Sequence, residues 1–418
     1  MSLFEMRKPL EDNIHYFLKW TVLAGIIGGL GGLAGGCFAR SVVWATGFRQ
    51  DNGWTLYLMP IAGLLIVFLY RLLGEEKNRG TNMVIESISA QEEVTPATAP
   101  LIFIATVLTH LTGGSAGREG AALQLGGSIG SMIGKRIDLD EKDLKIAVMC
   151  GMSAVFGALF GTPVAAGVFS MEVISIGVMY YAALVPCLFS AFLGAEISSL
   201  LGVEGEQYQI LDIPSFSLSS AAYVVFLGML CAVVSIGFCM LLHRSEHLWR
   251  EKIPNSWVRI LAASGVLILL TLLCGTRDYN GGSMMLIEHA MEGHARYQDF
   301  LLKALFTAVT LSGGFKGGEI VPTLCVGSTL GCVAGQLMGI SPSFSAACGM
   351  AALFVGVTNC PISSLIIALE MFGGEALPFF AIVVAVSFTL SGYYGLYSSQ
   401  KFVYSKTRTE FINRKTNE

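Results

Sequence analysis

"CGMSAVFGALFGTPVAAGVFSMEV", residues 150–173, lies without a gap over "CGMAALFVGVTNCPISSLIIALEM", residues 348–371. Cys, Gly, Met, Ala, Phe, Pro and Glu recur at matching places, including Pro163 with Pro361 and Glu172 with Glu370. Just upstream, "GGSAGREGAALQLGGS" (113–128) lies over "GGFKGGEIVPTLCVGS" (313–328) and pairs Glu119 with Glu319. Two matches at nearly the same offset, about 200 residues, imply a duplicated chain.

The repeat is written in membrane-grade sequence. The 418 residues are 53% hydrophobic and only 13% charged, with mean hydropathy +0.64, whereas a soluble domain carries roughly 25% charged residues. A spanning helix needs ~20 apolar residues. Such runs lie near 16–46, 55–73, 98–113, 217–242, 256–274 and 375–395. Between them fall shorter stretches broken by Gly and Pro, at 119–134, 142–160, 163–178, 180–201, 298–312, 319–340, 344–357 and 361–372. Short interrupted segments in corresponding halves mark a transporter whose site sits at discontinuous helices near the midplane.

The expected fold is an all-α polytopic membrane protein, one membrane domain over 1–418 with approximate halves 16–205 and 217–400. An odd number of spans per half would make the repeats inverted. Basic residues gather at Arg71, Lys77 and Arg79, at Lys135 and Arg136, at Arg244, Arg250, Lys252 and Arg259, and at Lys406, Arg408, Arg414 and Lys415. By the positive-inside rule these mark the cytoplasmic side of a plasma (inner) membrane, with short terminal segments and the C-terminus inside. The first 15 residues carry Glu5, Arg7, Lys8, Glu11 and Asp12, so no cleavable signal peptide is read there.

The ten cysteines form no CxxC pair and read as small buried apolar groups. No HExxH or plausible GxSxG pattern occurs, and His289 and His294 read as surface residues. No enzyme activity, cofactor, metal or nucleic-acid partner is expected.

Ionisable residues inside spans cost at least ~2.5 kcal/mol at a helix centre, so each needs a reason. Arg118 and Glu119 follow "GGSAG" and precede "GAALQLGG", a loop running into a helix. The backbone N–H groups of such a first turn, with the positive end of the dipole, bind anions. An ionised carboxylate there occupies the anion site itself, and it leaves when protonated or displaced. Adjacent residues point to different helix faces, so an Arg118–Glu119 salt bridge is a poor alternative. A second start, "SGGFKGGEIVPTL", carries Glu319, and a third is "NRGTNMVIESISA" (78–90). For Glu319 the plain alternative is a dipole partner without a transport role. The repeated Glu172 and Glu370 read as structural, satisfying backbone donors of broken helices.

Together these motifs resemble the CLC family of chloride channels and anion/proton antiporters. The family's gate, G-[RK]-E-G-P, is "GREGA" here, with Ala121 replacing proline, and its G-x-F-x-P is represented within "GGEIVP" (317–322), with Ile320 replacing phenylalanine. The resemblance implies an inverted-repeat helical fold, a homodimer with one pore per subunit, and Glu119 as gating glutamate and proton carrier. It places anion contacts at Gly80, Thr81, Asn82 and Met83, at Gly117, Arg118 and Gly120, at Gly318, Ile320 and Val321, and at Tyr397 in "GLYSSQK". Tyr393 and Tyr394 compete with Tyr397. In the anion loop, "GSGIP" becomes "GTNMV", so Thr81 aligns with the serine and Met83 serves if the helix shifts.

The departures narrow the expectation. The internal proton-accepting glutamate falls on Val173, and the chain offers Glu319 instead. This combination resembles the fluoride-exporting branch, and implies fluoride/proton exchange, with chloride/proton antiport or a chloride channel as the alternative. A cation carrier fits less well, because cation sites favour carbonyls and helix C-termini. A membrane scaffold would leave both carboxylates unexplained.

Overall fold

Local signals set where each helix breaks. Asp140 caps one helix, its carboxylate accepting from the Lys142 and Asp143 amides at 3.0 and 2.9 Å. Gly161 closes that helix with φ 67°, and Pro163 opens the next. In the second half Ser341, Asn359 (φ 58°) and Pro361 do the same work.

The computed structural model describes residues 3–89 and 93–417, with side chains from residue 10 onward. Among these residues sixteen α-helices follow one another in two sets of eight. The first set is α1 (Leu3–Asp51), α2 (Met59–Leu72), α3 (Thr81–Ser89), α4 (Thr98–Thr112), α5 (Glu119–Arg136), α6 (Glu141–Phe160), α7 (Pro163–Glu172) and α8 (Leu184–Leu200). The second is α9 (Leu218–Lys252), α10 (Ser256–Cys274), α11 (Met284–Met291), α12 (Asp299–Gly313), α13 (Ile320–Met338), α14 (Pro342–Thr358), α15 (Pro361–Phe372) and α16 (Leu377–Leu390). By length and composition, seven helical segments among the described residues can cross a membrane, and α4, α14, α15 and α16 are shorter apolar helices. Large apolar side chains such as Leu200, Leu218 and Leu273 point outward, as a surface facing lipid requires. The tail departs from an all-helical reading: β2 (Lys401–Tyr404) pairs antiparallel with β3 (Phe411–Lys415) and parallel with β1 (Ser175–Ile176).

The two halves are inverted. The loops before α5 and α13 meet head to head in an antiparallel bridge, Gly117 N–H to Gly318 O at 2.7 Å and Gly318 N–H to Gly117 O at 2.8 Å. Farther out, the Glu370 carboxylate near the end of α15 accepts from the Val164 and Ala165 amides of α7 at 3.0 and 2.8 Å. Glu172, ending α7, accepts in turn from the Ile362 and Ser363 amides of α15 at 3.1 and 2.8 Å. Each short helix therefore ends beside the start of the other, which only antiparallel helices can do. The repeated glutamates are backbone caps.

The contacts also correct the alignment at the helix starts. Gly126 of α5 packs on Gly151 of α6, and Gly327 of α13 packs on Gly349 of α14. Gly117 and Gly318, Gly126 and Gly327 are each 201 apart, so Arg118 corresponds to Glu319 and Glu119 to Ile320. The two carboxylates are one residue out of phase.

At the α5–α6 seam, a Cβ on Gly126 would lie 2.1 Å from Gly151 O, and one on Gly151 would lie 2.0 Å from Gly126 O. Backbone cannot yield as a side chain does, and overpacking costs typically ~1–3 kcal/mol. Gly126→Val is expected to abolish a monodisperse peak on fluorescence size-exclusion in detergent, and Gly126→Ala to lower the thermal midpoint. Gly25→Ala, with nothing within 4 Å of the added carbon, is expected to hold or slightly raise it.

Candidate anion and proton site

Three helix starts converge on Gly120. A Cβ there would meet Gly318 Cα at 3.0 Å, Glu319 Oε2 at 3.2 Å and Thr81 Oγ1 at 3.2 Å. Thr81, first in α3, donates its hydroxyl to Gly120 O at 3.2 Å, and Gln124 reaches the same carbonyl from one turn along α5 at 3.1 Å.

Glu119, the first residue of α5, is fully buried. Its Oε2 accepts from the Arg118 amide at 3.0 Å and, across the junction, from the Val321 amide of α13 at 3.3 Å. The carboxylate thus rests on the positive ends of two helices at once. Its Oε1 has no hydrogen-bond partner within the protein and lies 3.7 Å from Arg118 Nε. That contact departs from the expectation that neighbours point apart, because Arg118 is the cap residue and stands outside the helix.

The Arg118 guanidinium is otherwise engaged. It donates to Glu206 Oε1 at 2.7 Å and to Leu159 O at 3.3 Å. Glu206 belongs to no local motif, since its partner lies 88 residues away in the chain.

A cavity of about 520 Å³ leads from this junction. Glu319, Thr81, Gln124 and Tyr397 line its buried end, and Arg79, Glu246, His247 and Arg250 its exposed mouth. Glu319 is the cap residue of α13, and its buried Oε2 has no hydrogen-bond partner in the protein. The Tyr397 hydroxyl is buried and likewise unpartnered. Tyr393 instead pairs with Ser405 Oγ at 2.9 Å, and Tyr394 is 39% exposed. The Tyr397 segment is pinned by Ser399 N–H on Asn82 Oδ1 (3.0 Å) and by Gln400 on Val173 O (3.0 Å) and Thr358 O (2.9 Å).

Some expected contacts go elsewhere. Gly80, Thr81 and Asn82 line the cavity, but the Met83 side chain packs in the apolar core, two residues and about 200° round the helix from Thr81. Gly117 and Gly318 use their amides on each other, and the Arg118 amide is taken by Glu119. Ile320 and Val321 are buried off the cavity, with Val321 contributing its amide to Glu119. Gln124 was missed, although its position four residues after Gly120 is the spacing that returns a side chain to the same face.

The family model for voltage gated chloride channels matches residues 62–392. The chain belongs to the CLC family. A chloride/fluoride channel protein of Pseudomonas syringae pv. tomato is 32% identical over 413 residues, 97% of this chain and 91% of that protein. The H(+)/Cl(-) exchange transporter ClcA of Yersinia pestis is 26% identical over 404 residues, 88% of this chain and 83% of that one. Among solved structures, that of a CLC-type fluoride/proton antiporter superposes with a TM-score of 0.88 at 31% identity, over 96% of this chain and 99% of that one. This CLC chain is accordingly a multi-pass membrane protein built from two inverted repeats.

Removing one partner of a buried ion pair leaves the other uncompensated, at about 3–5 kcal/mol. Glu206→Met and Arg118→Met are each expected to lower the thermal midpoint of purified protein markedly. Arg118→Met combined with Glu206→Met should recover part of that loss, and strict additivity of the two single effects would exclude the coupling.

Proposed function

We propose that this CLC protein is a proton-coupled anion antiporter that exports fluoride. The observation that carries the reading is the Glu119 carboxylate resting on the starts of both α5 and α13. A carboxylate held there by backbone amides stands in for an inorganic anion. An arriving anion displaces it, and protonation removes its charge and weakens its hold. One group therefore competes with the anion and carries the proton.

Fluoride suits the cavity's buried end. It is small, strongly hydrated and a strong hydrogen-bond acceptor, so a site must replace its water with closely placed donors. The unpartnered Tyr397 hydroxyl and the Gln124 N–H not spent on Gly120 O supply such donors, and Glu319 supplies a second carboxylate on the same side. Where chloride/proton antiporters would carry an internal glutamate, Val173 is buried and its carbonyl accepts from Gln400, so Glu319 takes that part. The relatives that match at 31–32% identity bear fluoride in their names, and the chloride exchanger matches at 26%. In this reading the protein is a homodimer in the plasma (inner) membrane. The cavity and C-terminus face the cytoplasm, since Arg79, Arg250 and Arg259 line the cavity.

The test is efflux from reconstituted liposomes, comparing fluoride with chloride while recording pH. Fluoride-selective efflux with opposite proton movement is expected; equal or greater chloride flux would assign the chain to chloride transport. Glu119→Gln is expected to abolish proton coupling, and uphill proton movement driven by an anion gradient in that variant would overturn the mechanism. Glu319→Ala should cut exchange at least about five-fold, the scale of one lost polar contact of ~1 kcal/mol, with normal assembly on size exclusion. Unchanged turnover would leave Glu319 a dipole partner.

A further inference from the structure

Glu119, Arg118 and Glu206 stand outside the cavity lining, and the end of α6 assembles them. Leu159 and Phe160 offer neighbouring carbonyls there. Leu159 O accepts from Arg118 Nη2 at 3.3 Å, and Phe160 O accepts from the Glu206 amide at 2.9 Å. Gly161 makes room for this approach, since a Cβ on it would lie 2.6 Å from Gly205 Cα. Two residues on, the Tyr208 amide donates to Met371 O of α15 at 2.9 Å. The connection between α8 and α9 is thus pinned around Glu206. Glu206 Oε1 comes to 2.7 Å from Arg118 Nη2, while Glu119 Oε1 stays 3.7 Å from Arg118 Nε without a hydrogen bond. The Arg118, Glu206 and Glu119 side chains are only 14%, 7% and 0% exposed, so solvent screens the three charges weakly.

An arginine beside a carboxylate that must take up a proton works against the uptake, because an opposite charge favours the ionised form. Glu206 removes that bias. With Glu119 protonated, Arg118 and Glu206 neutralise each other; with Glu119 ionised, the three groups carry one negative charge. Without the Glu206 charge, the same two states would carry one positive charge and none, and the ionised state would win. The other titratable groups nearby lie farther out. Glu288 and Tyr208 are in the field of Glu206, and His110 of α4, itself in the field of Lys303 and Arg49, is in that of Arg118. Tyr397 faces Glu119 from the cavity side, and Glu319 stands across the junction at Gly120.

We infer that Glu206 is a positioning residue for proton uptake: it holds the Arg118 guanidinium off the Glu119 carboxylate and balances its charge, so that Glu119 leaves the helix starts when a proton arrives. The inference rests on the anion/proton exchange reading above and adds a residue to it. Glu206 acts only through Arg118. The charges of Glu206 and Arg118 therefore set, with opposite signs, the pH at which exchange runs at half its maximal rate.

Initial fluoride efflux and proton movement are measured in liposomes over a series of pH values, equal on both sides, with the leak of protein-free liposomes subtracted. Glu206→Gln keeps an acceptor for Arg118 but not the charge. It is expected to move the half-maximal pH about one unit in the acid direction, ten-fold in proton concentration. Arg118→Gln should move it in the alkaline direction, Glu206→Asp should keep most of the wild-type value, and the double glutamine variant should return close to it. Each variant is read on its monodisperse fraction, so a loss of stability lowers the yield without moving the half-maximal pH. Where Glu206→Gln does not assemble, Arg118→Gln and the double variant decide. An unchanged half-maximal pH in either single variant, or shifts of the same sign in both, would overturn the inference and leave the antiport reading intact. A wild-type protein that moves fluoride without protons would overturn that reading instead.

Discussion

Two backbone hydrogen bonds between Gly117 and Gly318 hold together everything described above. They join the loops that start α5 and α13, and they work only where no side chain intervenes. A Cβ on Gly318 would lie 2.5 Å from the Gly120 nitrogen, and one on Gly317 would lie 2.5 Å from Ala116 Cβ. With the loops this close, the α13 amide of Val321 comes within reach of a carboxylate on α5. The same approach brings Thr81 and Glu319 to Gly120. Glycine here supplies proximity, and proximity turns two ordinary helix starts into one anion-accepting point.

Around that point polar groups are satisfied outward in layers. Arg118 is balanced by Glu206, and Ser115 meets Thr307, Thr310 and the fully buried Lys303. Lys303 in turn donates to Gly281 O and Ser283 Oγ at 2.7 and 2.8 Å. These contacts fix the loop leading to Glu119 against the second half. Among the buried groups without protein partners, Glu319 Oε2 and the Tyr397 and Tyr70 hydroxyls belong to residues that line the cavity, while Trp20 Nε1, Arg49 Nε and Thr106 Oγ1 lie away from it.

Much of this was legible in the chain itself. Apolar runs, Gly and Pro breaks and the duplicated motif carry the helix pattern, because each depends on local sequence. The repeated proline–glutamate spacing also gave the capping role of Glu172 and Glu370. What letters alone could not set was helix phase. Matching Glu119 with Glu319 looks better than matching it with Ile320, yet one residue turns a side chain by about 100° on a helix. That turn is why one carboxylate lies in the junction and the other on the cavity wall. Glu206 was hidden for a different reason. Its environment comes from segments far apart in the chain, and no short motif records such a meeting.

The exchanged caps of α7 and α15 bear on how the protein is made. While the ribosome is still working through the second half, the Val164 and Ala165 amides exist without the carboxylate of Glu370, more than 200 residues downstream. At typical synthesis rates of 5–20 residues per second, that interval lasts about 10–40 s. For that time the first half holds a short helix with bare amides in or near hydrocarbon, where each unsatisfied group is expensive. The first repeat is therefore not a finished module that the second joins. It remains a partner in waiting, dependent on the insertion machinery or on water until its twin arrives.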